Sequence, residues 1–370
     1  MIVSWVVDQH SLTFSAWRKL KRNKAAVVGL VCIAATVFIA VFAYWLAPDP
    51  SPNANRMILE ISGQGPGFKM TYLQVPKPDA KQVNFLQRTW SGKPDLFTWI
   101  PIMGHRASAD SIVIEKYVDD GVTENIAYAI RDLQLQANET ASSRIVSRTH
   151  WLGTDKFGRD ILSRLIVGTR VSLSVGTIAV IISLTLGILL GAFAGFYRGR
   201  TDDLIMWFIN VAWSIPTLLL VFAITLVLGK GFWQVFVAVG LTLWVSVARM
   251  IRGQVFSIRE LEYIEATRAL GFSDARTIFR HILPNVLGPV LVMGASNFAS
   301  AIVIEAGLSF LGVGVQPPQP SWGLMIKENY NFIITNHPML AIVPGLAIMV
   351  LVLSFNLLGN GLRDALDVRA

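Results

Sequence analysis

The sequence predicts an all-α integral membrane protein with six membrane-spanning helices and a mainly β, polar insertion between the first and second. Two observations lead to this fold class. Apolar residues make up 53% of the 370 residues and charged residues only 15%, whereas a soluble domain carries about 25% charged residues. The apolar residues are also gathered into long runs without charge, and residues 48–150 form a polar stretch between the first run and the others.

The charge-free runs predict the individual spans. A helix needs about 20 apolar residues to cross a hydrocarbon core of about 30 Å. Runs that meet this requirement are Ala25–Ala47, Val171–Tyr197, Leu204–Gly229, Gly231–Ala248, Ile282–Ile304 and Pro338–Leu362. The run Ala306–Ile326 also lacks charge, but it contains Pro317, Pro318 and Pro320. Because proline removes helical hydrogen bonds that lipid cannot replace, we interpret it as an irregular loop.

The positions of lysine and arginine predict the orientation in the membrane. Loops rich in these residues stay on the cytoplasmic side. Basic residues precede the first span and are concentrated in the connections 198–203 and 249–281. Six spans therefore place both termini in the cytoplasm and residues 48–150 outside it. The net charge of +8 fits this sorting better than nucleic-acid binding, and we expect no nucleic-acid partner.

The N-terminal segment, residues 1–24, is predicted to be an amphipathic helix at the cytoplasmic membrane surface. Leu12, Phe14, Trp17 and Leu20 alternate there with basic residues, a pattern typical of interfacial helices; a frayed tail is the alternative. The next 23 residues, 25–47, exceed the roughly 7–15 apolar residues of a signal peptide. We expect them to remain as a membrane anchor in contact with lipid.

The polar stretch 48–150 is predicted to be an extracytoplasmic insertion. Short runs with β propensity occur at Met57–Ile61, Ser111–Tyr117 and Asn125–Ile130, separated by Gly, Pro and Asp. The glycine-rich sequence 63–67 is predicted to form a tight turn between two strands. Residues 151–370 would form a core with the remaining five spans and the cytoplasmic loop 249–281.

The sequence lacks the motifs of a self-contained enzyme or pump. It has no G-x-x-x-x-G-K-[ST] phosphate loop, no H-E-x-x-H and no G-x-S-x-G motif. Cys32 is the single cysteine, and the five histidines are not spaced as metal ligands. We therefore expect no catalytic residue, no metal site and no cofactor bound by this chain.

The predicted spans also lack ionisable residues near their centres, which argues against a proton- or sodium-driven transporter. Asn210, Ser214 and Asn297 are polar residues within spans, and Glu305 lies at the outer end of one. These four are candidates for lining a transport pathway. Hydrogen bonding between neighbouring helices is the alternative explanation for each.

The loop 249–281 predicts a pair of short helices. Residues 259–270 are good helix formers, Gly271 can supply the left-handed residue that ends a helix, and Ser273 or Asp274 can cap a second helix. Such a pair would present a compact projection to the cytoplasm, where it could fit a groove on a partner. A solvated connection is the alternative.

Glu265, Ala266, Thr267 and Gly271 resemble the E-A-A-x-x-x-G motif of permeases in binding-protein-dependent ABC importers. In that family the motif belongs to a coupling helix that docks on the ATPase. The resemblance extends the coupling role to Asp274 and Arg276 in the helix that follows. Two differences are visible: Thr267 replaces alanine, and His281 replaces the isoleucine of an I-x-L-P pattern.

Three further stretches narrow the resemblance to the C-type permeases of dipeptide and oligopeptide importers. They are His150–Arg164, with the sequence G-T-D-x-x-G-R-D, Leu308–Gly323 and Phe355–Asp367. The similarity covers residues 17–48 and 150–370 but not the insertion 49–149. In the first stretch, Asp155, Arg159, Asp160 and Arg164 are expected to form exposed ion pairs near a span or to contact a docked binding protein.

The resemblance implies a subunit that forms half of a translocation pathway. Its expected partners are a second homologous permease, two cytoplasmic ATPases that use ATP and Mg²⁺, and an extracytoplasmic solute-binding protein. The expected cargo is a di- or oligopeptide, with nickel or another small solute as alternatives. A self-contained secondary transporter and a membrane-anchored assembly or sensor protein, whose external domain does the work, are the rival classes.

Overall fold

The structure is a computed structural model, and it describes residues 12–78, 83–108, 110–135, 140–229, 231–334 and 337–366. The predicted N-terminal segment is therefore described from residue 12 onward. Asp367, at the end of the C-terminal stretch, lies outside the described residues.

The described residues form helices and one set of strands. In chain order the helices are α1 (Leu12–Arg22), α2 (Lys24–Val41), α3 (Ala43–Leu46), α4 (Phe85–Ser91), α5 (Ile161–Tyr197), α6 (Gly199–Ser214), α7 (Thr217–Leu228), α8 (Phe232–Arg259), α9 (Glu262–Ala269), α10 (Asp274–Arg276), α11 (Leu287–Phe310), α12 (Trp322–Asn329) and α13 (Met339–Leu366). The strands are β1 (Phe68–Pro76), β2 (Phe97–Ala107), β3 (Ser111–Asp119), β4 (Val122–Ala129) and β5 (Ile145–His150).

The chain divides into two compact units. The helical unit comprises Met1–Val37, Ser172–Val315 and Ile348–Ala370, and the sheet unit comprises Phe38–Val171 and Gln316–Ala347. The boundaries fall within α2, α5 and α13, so each of these helices contributes to both units.

Five helices in the described residues are long and apolar enough to cross a membrane. They are α2, α5, α8, α13 and the continuous helical stretch Asp274–Phe310, which contains α10 and α11. The pair α6 and α7 passes the same test only when taken together. The fold is therefore that of a helical membrane protein with five or six apolar spans, and the count of six stays a prediction.

The run Leu204–Gly229, predicted as one span, is broken between α6 and α7. The two helices meet at an angle of 96°, and Ile215 and Pro216 at the break have extended backbone conformations. Pro216 has no N–H to donate, and its ring disfavours a helical conformation at Ile215. This local chemistry accounts for the break that apolarity alone did not indicate.

In the helical unit, α8 is surrounded by other helices. Val235, Phe236 and Val239 pack with buried residues of α5, α7 and α11. The helix also approaches α5 closely where α5 carries Gly187, Gly191 and Gly195 at intervals of four residues. In hydrocarbon, helices associate through packing and hydrogen bonds rather than exclusion of water, and small residues permit this close approach.

The N-terminal helix prediction is confirmed for the described part, because residues 12–22 form α1. Leu20 is buried with Ala26 and Ala365, and the Asn23 side chain accepts a hydrogen bond from the Ala26 N–H at 3.1 Å. Asn23 also donates to Asp364 of α13 at 3.4 Å. These contacts hold α1 and the start of α2 against α13. The position of α1 at the membrane surface stays a prediction.

The sheet unit contains an antiparallel sheet with the strand order β4-β3-β2-β1-β5. One cluster contains Leu73, Ile100, Ile112 and Ile114, and a second contains Met70, Tyr72 and Tyr117. On β1, Leu73 belongs to the first cluster, whereas Met70 and Tyr72 belong to the second. Because successive side chains of a strand point to opposite faces, both faces of β1 are covered. The sheet confirms that the polar insertion has β structure.

The predicted strand Met57–Ile61 is wrong, because residues Leu59–Ile61 form a 3₁₀ turn. Ile58 and Ile61 are buried, whereas Met57 and Leu59 are exposed. A spacing of three places Ile58 and Ile61 on the same side of a 3₁₀ turn, which has about 3.0 residues per turn. The glycine-rich turn after it leads into β1 but is not preceded by a strand.

The four residues that were expected to form exposed ion pairs are paired with other side chains but buried: Asp155, Arg159, Asp160 and Arg164. Arg159 Nε donates to Asp155 Oδ2 at 2.6 Å, and Arg159 Nη2 donates to Glu328 Oε2 at 2.7 Å. Arg164 Nη2 contacts the same Glu328 oxygen at 3.1 Å. Asp155, Arg159 and Arg164 are almost fully buried. The charged cluster (Asp155, Arg159, Arg164, Glu328) therefore holds the sheet unit together and leaves these residues no surface for a docked protein.

We predict that Arg159→Met destabilises the protein by about 3–5 kcal/mol, because it leaves the two carboxylates of the buried cluster, Asp155 and Glu328, with Arg164 as their one remaining cationic partner in the cluster. Lys156→Met is the control, since Lys156 is exposed three residues away. Thermal unfolding of the purified protein in lipid measures both. A transition temperature for Arg159→Met equal to that of the control would contradict this role of the cluster.

A second prediction concerns the contact between α5 and α8. A Cβ at Gly191 would lie 2.4 Å from the Ala248 carbonyl oxygen, whereas a Cβ at Gly253 of α8 would meet nothing within 4 Å. The same substitution, glycine to alanine, should therefore lower the unfolding temperature at position 191. At position 253 it should leave that temperature unchanged or raise it, because alanine favours helix by about 1 kcal/mol. Equal shifts at both positions would show that the close approach is not required.

Candidate functional site

The loop after α8 begins at a junction held by two arginine–carboxylate contacts. Arg252 Nε and Nη2 donate to the two carboxylate oxygens of Asp202, each at 2.5 Å. Arg198, which precedes α6, forms an ion pair with Glu260 at the end of α8. These contacts fix the end of α8 relative to the turn between α5 and α6, and thus the base from which α9 starts.

The helix α9 ends at Gly271 in the backbone arrangement known as a Schellman motif. The Gly271 N–H bonds to the Arg268 carbonyl at 2.9 Å, and the Phe272 N–H bonds to the Thr267 carbonyl at 3.0 Å. Gly271 has φ +76°, which is costly for residues with a Cβ. The prediction that Gly271 is the left-handed residue at the helix end is confirmed.

The second helix of the loop starts at a side-chain cap. Ser273 Oγ accepts a hydrogen bond from the Arg276 N–H at 3.4 Å, and Asp274 occupies the first turn. The negative charge of Asp274 is favourable there because backbone N–H groups at a helix N-terminus carry partial positive charge. Of the two capping residues considered, Ser273 is the one that caps.

The helical path continues from α10 as a π turn over Thr277–Ile282 and a 3₁₀ turn over Leu283–Val286 before α11 begins. Pro284 has no N–H for the bond to the residue four positions earlier. The helix changes type next to that proline but continues into α11 without an interruption. As a result, α10 and α11 belong to one continuous helical stretch.

One side of this helix pair is anchored on α5 and α8. Ile264, Ile278 and Ile282 are fully buried or nearly so, and they pack with Phe196 of α5 and Ile251 of α8. These contacts join the pair to the membrane helices through apolar packing. A displacement of the pair would therefore require these packed side chains to move or rearrange.

Thr267 belongs to this buried side. Its hydroxyl donates to the Ile264 carbonyl at 2.7 Å and lies 3.3 Å from the Thr277 hydroxyl. Both threonines are buried. Thr267 is therefore placed to pack α9 against the second helix rather than to contact a partner directly, and the short distance to Thr277 leaves room only for a small side chain at this position.

The other predicted coupling residues lie on the exposed side. Glu265, Ala266, Gly271, Asp274 and Arg276 all have exposed positions. The Arg276 guanidinium lies over the Phe272 ring at 4.0 Å from its centroid, which restricts its direction. The structure thus brings these five residues onto one short, exposed helix pair.

Exposed apolar side chains accompany them, and sequence reasoning missed two of these. Leu270 is 71% exposed, and Tyr263 is also exposed. Tyr263, Ala266 and Leu270 follow a spacing of three and four residues, which places them on one face of α9. This spacing of apolar residues among charged neighbours is the sequence pattern that could have indicated the exposed apolar face. Large apolar side chains exposed together on a surface indicate a protein contact.

Tyr263 is further fixed by Asn285, whose Nδ2 donates to the Tyr263 hydroxyl at 3.2 Å and to the His281 carbonyl at 2.7 Å. Partial desolvation of the Tyr263 hydroxyl raises its pKa above the ordinary tyrosine value. His281, which departs from the family pattern, stacks on Phe272 with centroids 5.6 Å apart. The replacement thus adds an aromatic contact inside the loop.

The four candidate pathway residues do not lie together. Asn210 and Ser214 are exposed on α6, where Asn210 accepts a hydrogen bond from Arg249 at 3.1 Å. Asn297 is buried and donates to Ser183 Oγ of α5 at 3.2 Å and to the Leu243 carbonyl of α8 at 3.4 Å. Glu305 is buried and accepts from Ser309 at 2.6 Å. Asn297 therefore forms hydrogen bonds between helices, which was the alternative to a place on the transport pathway.

Two known protein families match parts of this chain. Residues 187–370 match the family described as binding-protein-dependent transport system inner membrane component, and residues 11–63 match the N-terminal TM domain of oligopeptide transport permease C. The glutathione transport system permease protein GsiD of Pectobacterium atrosepticum is 43% identical over 222 residues, covering 60% of this chain and 73% of that protein.

The oligopeptide transport system permease protein OppC of Bacillus subtilis is 40% identical over 221 residues, covering 60% of this chain and 72% of that protein. Among solved structures, the inward-facing MetNI methionine ABC transporter matches with 17% identity and a TM-score of 0.46, covering 55% of this chain and 95% of that one. This structural similarity is too weak to carry an argument.

The chain belongs to the family of binding-protein-dependent transport system inner membrane components. It is therefore a multi-pass inner membrane permease of an ABC importer, and the family is one of permease subunits rather than catalytic ones.

We predict that Gly271→Val loosens the helix pair whereas Gly271→Asn preserves it. A Cβ at this position meets nothing within 4 Å. The two variants should therefore differ only in how well each residue tolerates the left-handed backbone conformation. Left-handed backbone costs about 1–2 kcal/mol for an ordinary residue, and asparagine tolerates it better. The rate of limited proteolysis within residues 260–281 should rise for valine and stay near wild type for asparagine. Equal rates for both variants would contradict the requirement for a left-handed residue.

Proposed function

We propose that this chain is one of two homologous permease subunits of an ATP-driven importer of di- or oligopeptides. Its curated relatives are named as glutathione, oligopeptide and dipeptide transport permeases, which supports a short peptide as cargo. The chain would form half of the translocation pathway. A solute-binding protein outside the membrane would deliver the peptide.

The observation that carries the coupling role is the two-sided construction of the helix pair α9–α10. One side is packed onto Phe196 and Ile251 of the membrane helices, and the other presents Glu265, Ala266 and Leu270 to solvent. Two cytoplasmic ATPase subunits would supply the driving motion, and each would bind ATP and Mg²⁺ itself. This chain would hold no nucleotide.

The topology that we propose has six spans, with α6 and α7 together forming one broken span. Non-helical backbone at membrane depth is tolerated where it is buried in protein or lines an aqueous cavity. Asn210 and Ser214 stand just before the break at Pro216, and their exposure supports their placement on the pathway. Asn297 and Glu305 are buried within one subunit and would line the pathway only if helices separate during transport.

The proposed orientation has both termini and the helix pair in the cytoplasm, and the insertion 48–150 on the other side. Arginine and lysine residues before α2 and in the connections after α5 and α8 support it. During transport, closure of the ATPase pair would move α9 and α10 together, and their packing on α5 and α8 would convey that motion to the spans. The pathway would then open alternately to the two sides.

We predict that Glu265→Arg reduces retention of the ATPase subunits at least about tenfold, which corresponds to about 1.4 kcal/mol of lost binding free energy. The substitution reverses a charge on the exposed side of α9 without touching its buried side. Co-purification of the assembled importer from membranes measures the retained ATPase. Peptide uptake into the same membrane vesicles should fall in parallel.

The matched control is Glu124→Arg, the same charge reversal at an exposed position of β4, which should retain the ATPase at the wild-type level. Equal retention by both variants would contradict the coupling role of α9. Uptake of nickel but not of peptides by the intact importer would replace the proposed cargo while leaving the coupling role in place.

A further inference from the structure

The insertion contains a short helix whose large apolar side chains are uncovered. In α4, Phe85, Leu86 and Trp90 are 67%, 80% and 79% exposed. All three belong to seven residues of the sequence FLQRTWS. Exposed apolar residues gathered so densely indicate a contact with another apolar surface, and the family resemblance does not cover this segment.

The helix is attached to the end of the first membrane helix. The Trp45 indole Nε1 of α3 donates to Thr89 Oγ1 at 3.1 Å, and the Trp45 and Phe85 rings lie 5.1 Å apart. The Arg88 guanidinium covers the Trp45 ring at 3.8 Å. These contacts make Trp45, itself partly exposed, continuous with the apolar surface of α4.

The same helix is attached to α5. Arg170 Nη1 donates to the carbonyl oxygens of Thr89 and Trp90 at 3.0 and 3.1 Å. These are carbonyl groups in the last turn of α4, where a positive charge is favourable. The chain just after α4 passes close to the Pro50 carbonyl oxygen, which accepts a hydrogen bond from the Lys93 N–H at 2.7 Å. The position of α4 is therefore set by both membrane helices that flank the insertion.

The lengths of those helices support a position of α4 near the membrane surface. From Lys24 to Trp45 the chain rises about 30 Å, and from Tyr197 back to Arg170 it rises about 40 Å. The hydrocarbon core is about 30 Å thick and the bilayer with its headgroups about 40–45 Å. With Lys24 and Tyr197 at the cytoplasmic edge of the hydrocarbon core, as the proposed orientation has them, both counts put the attachment points of α4 between the opposite hydrocarbon edge and the headgroups.

The side chains of α4 have the chemistry that this region requires. Tryptophan is enriched where hydrocarbon meets headgroups, and phenylalanine and leucine bury the apolar face of surface helices. Arg88 forms no ion pair with a carboxylate in the described part of the chain. A guanidinium at that depth can bind lipid phosphate by hydrogen bonds.

We propose that α4 is a membrane-surface anchor of the insertion, with lipid as its partner. Phe85, Leu86 and Trp90 enter the boundary between headgroups and acyl chains, and Arg88 faces the phosphates. The anchor fixes the sheet at a defined distance from the bilayer on the face where the insertion lies. This role is independent of the cargo and of the ATPase contact.

The test is a spin-label depth measurement on the full chain in lipid nanodiscs. Cys32 is the single cysteine, so Cys32→Ser followed by Leu86→Cys provides one labelling position on α4. Val122→Cys in the same background is the matched control, because Val122 is an exposed apolar residue at the start of β4. Both positions are exposed, so labelling should not disturb the packing.

We expect the label at position 86 to be relaxed more by oxygen, which concentrates in lipid, than by a water-soluble nickel complex. The label at position 122 should show the opposite order. Preferential relaxation by the nickel complex at position 86 would place α4 in water and overturn the proposal. A label at position 86 that neither reagent reaches would indicate a protein partner in place of lipid and would also overturn it.

Discussion

The close contact between α5 and α8 determines where the coupling helices can rest. Gly187, Gly191 and Gly195 let the backbone of α8 approach so closely that any Cβ there would meet Val247, Ala248 or Arg252 atoms at 2.4–2.7 Å. Membrane helices gain little from water exclusion and rely on such packing. Because the two helices stay together to their ends, Phe196, Ile251 and Val255 form one apolar seat for Ile264 and Ile278.

The seat explains how a short helix pair outside the spans can be rigid. Isolated helices of eight residues, the length of α9, are unstable in water. Here the buried isoleucines, the left-handed Gly271 and the Ser273 cap replace the missing length with tertiary contacts and satisfied backbone groups. The Arg252–Asp202 contact then fixes the base of the pair. A force on the exposed side meets a packed unit rather than a flexible loop.

Sequence reasoning succeeded where the signal was local. Long apolar runs predicted the five helices that are long and apolar enough to cross a membrane. The chemistry of Gly271 and Ser273 predicted the turn between the coupling helices, because each depends on neighbours within a few residues. Glu328 was missed because its partner Arg159 lies 169 residues away. The ion pairs were expected to be exposed for the same reason: burial depends on chain segments that the local sequence does not identify. Strands β1, β2 and β5 likewise depend on pairing partners distant in the chain.

The E-A-A-x-x-x-G pattern combines two physical requirements within one helical turn. Ala266 is exposed, so a small residue there allows a partner to approach the backbone of α9 under the proposed function. Thr267 is buried 3.3 Å from the Thr277 hydroxyl, so a small residue there is required by packing within the chain. A threonine satisfies the second requirement, because its hydroxyl donates a hydrogen bond to the Ile264 carbonyl. Consecutive small residues in the motif therefore have different causes, and replacement of the second alanine by threonine leaves the exposed surface unchanged.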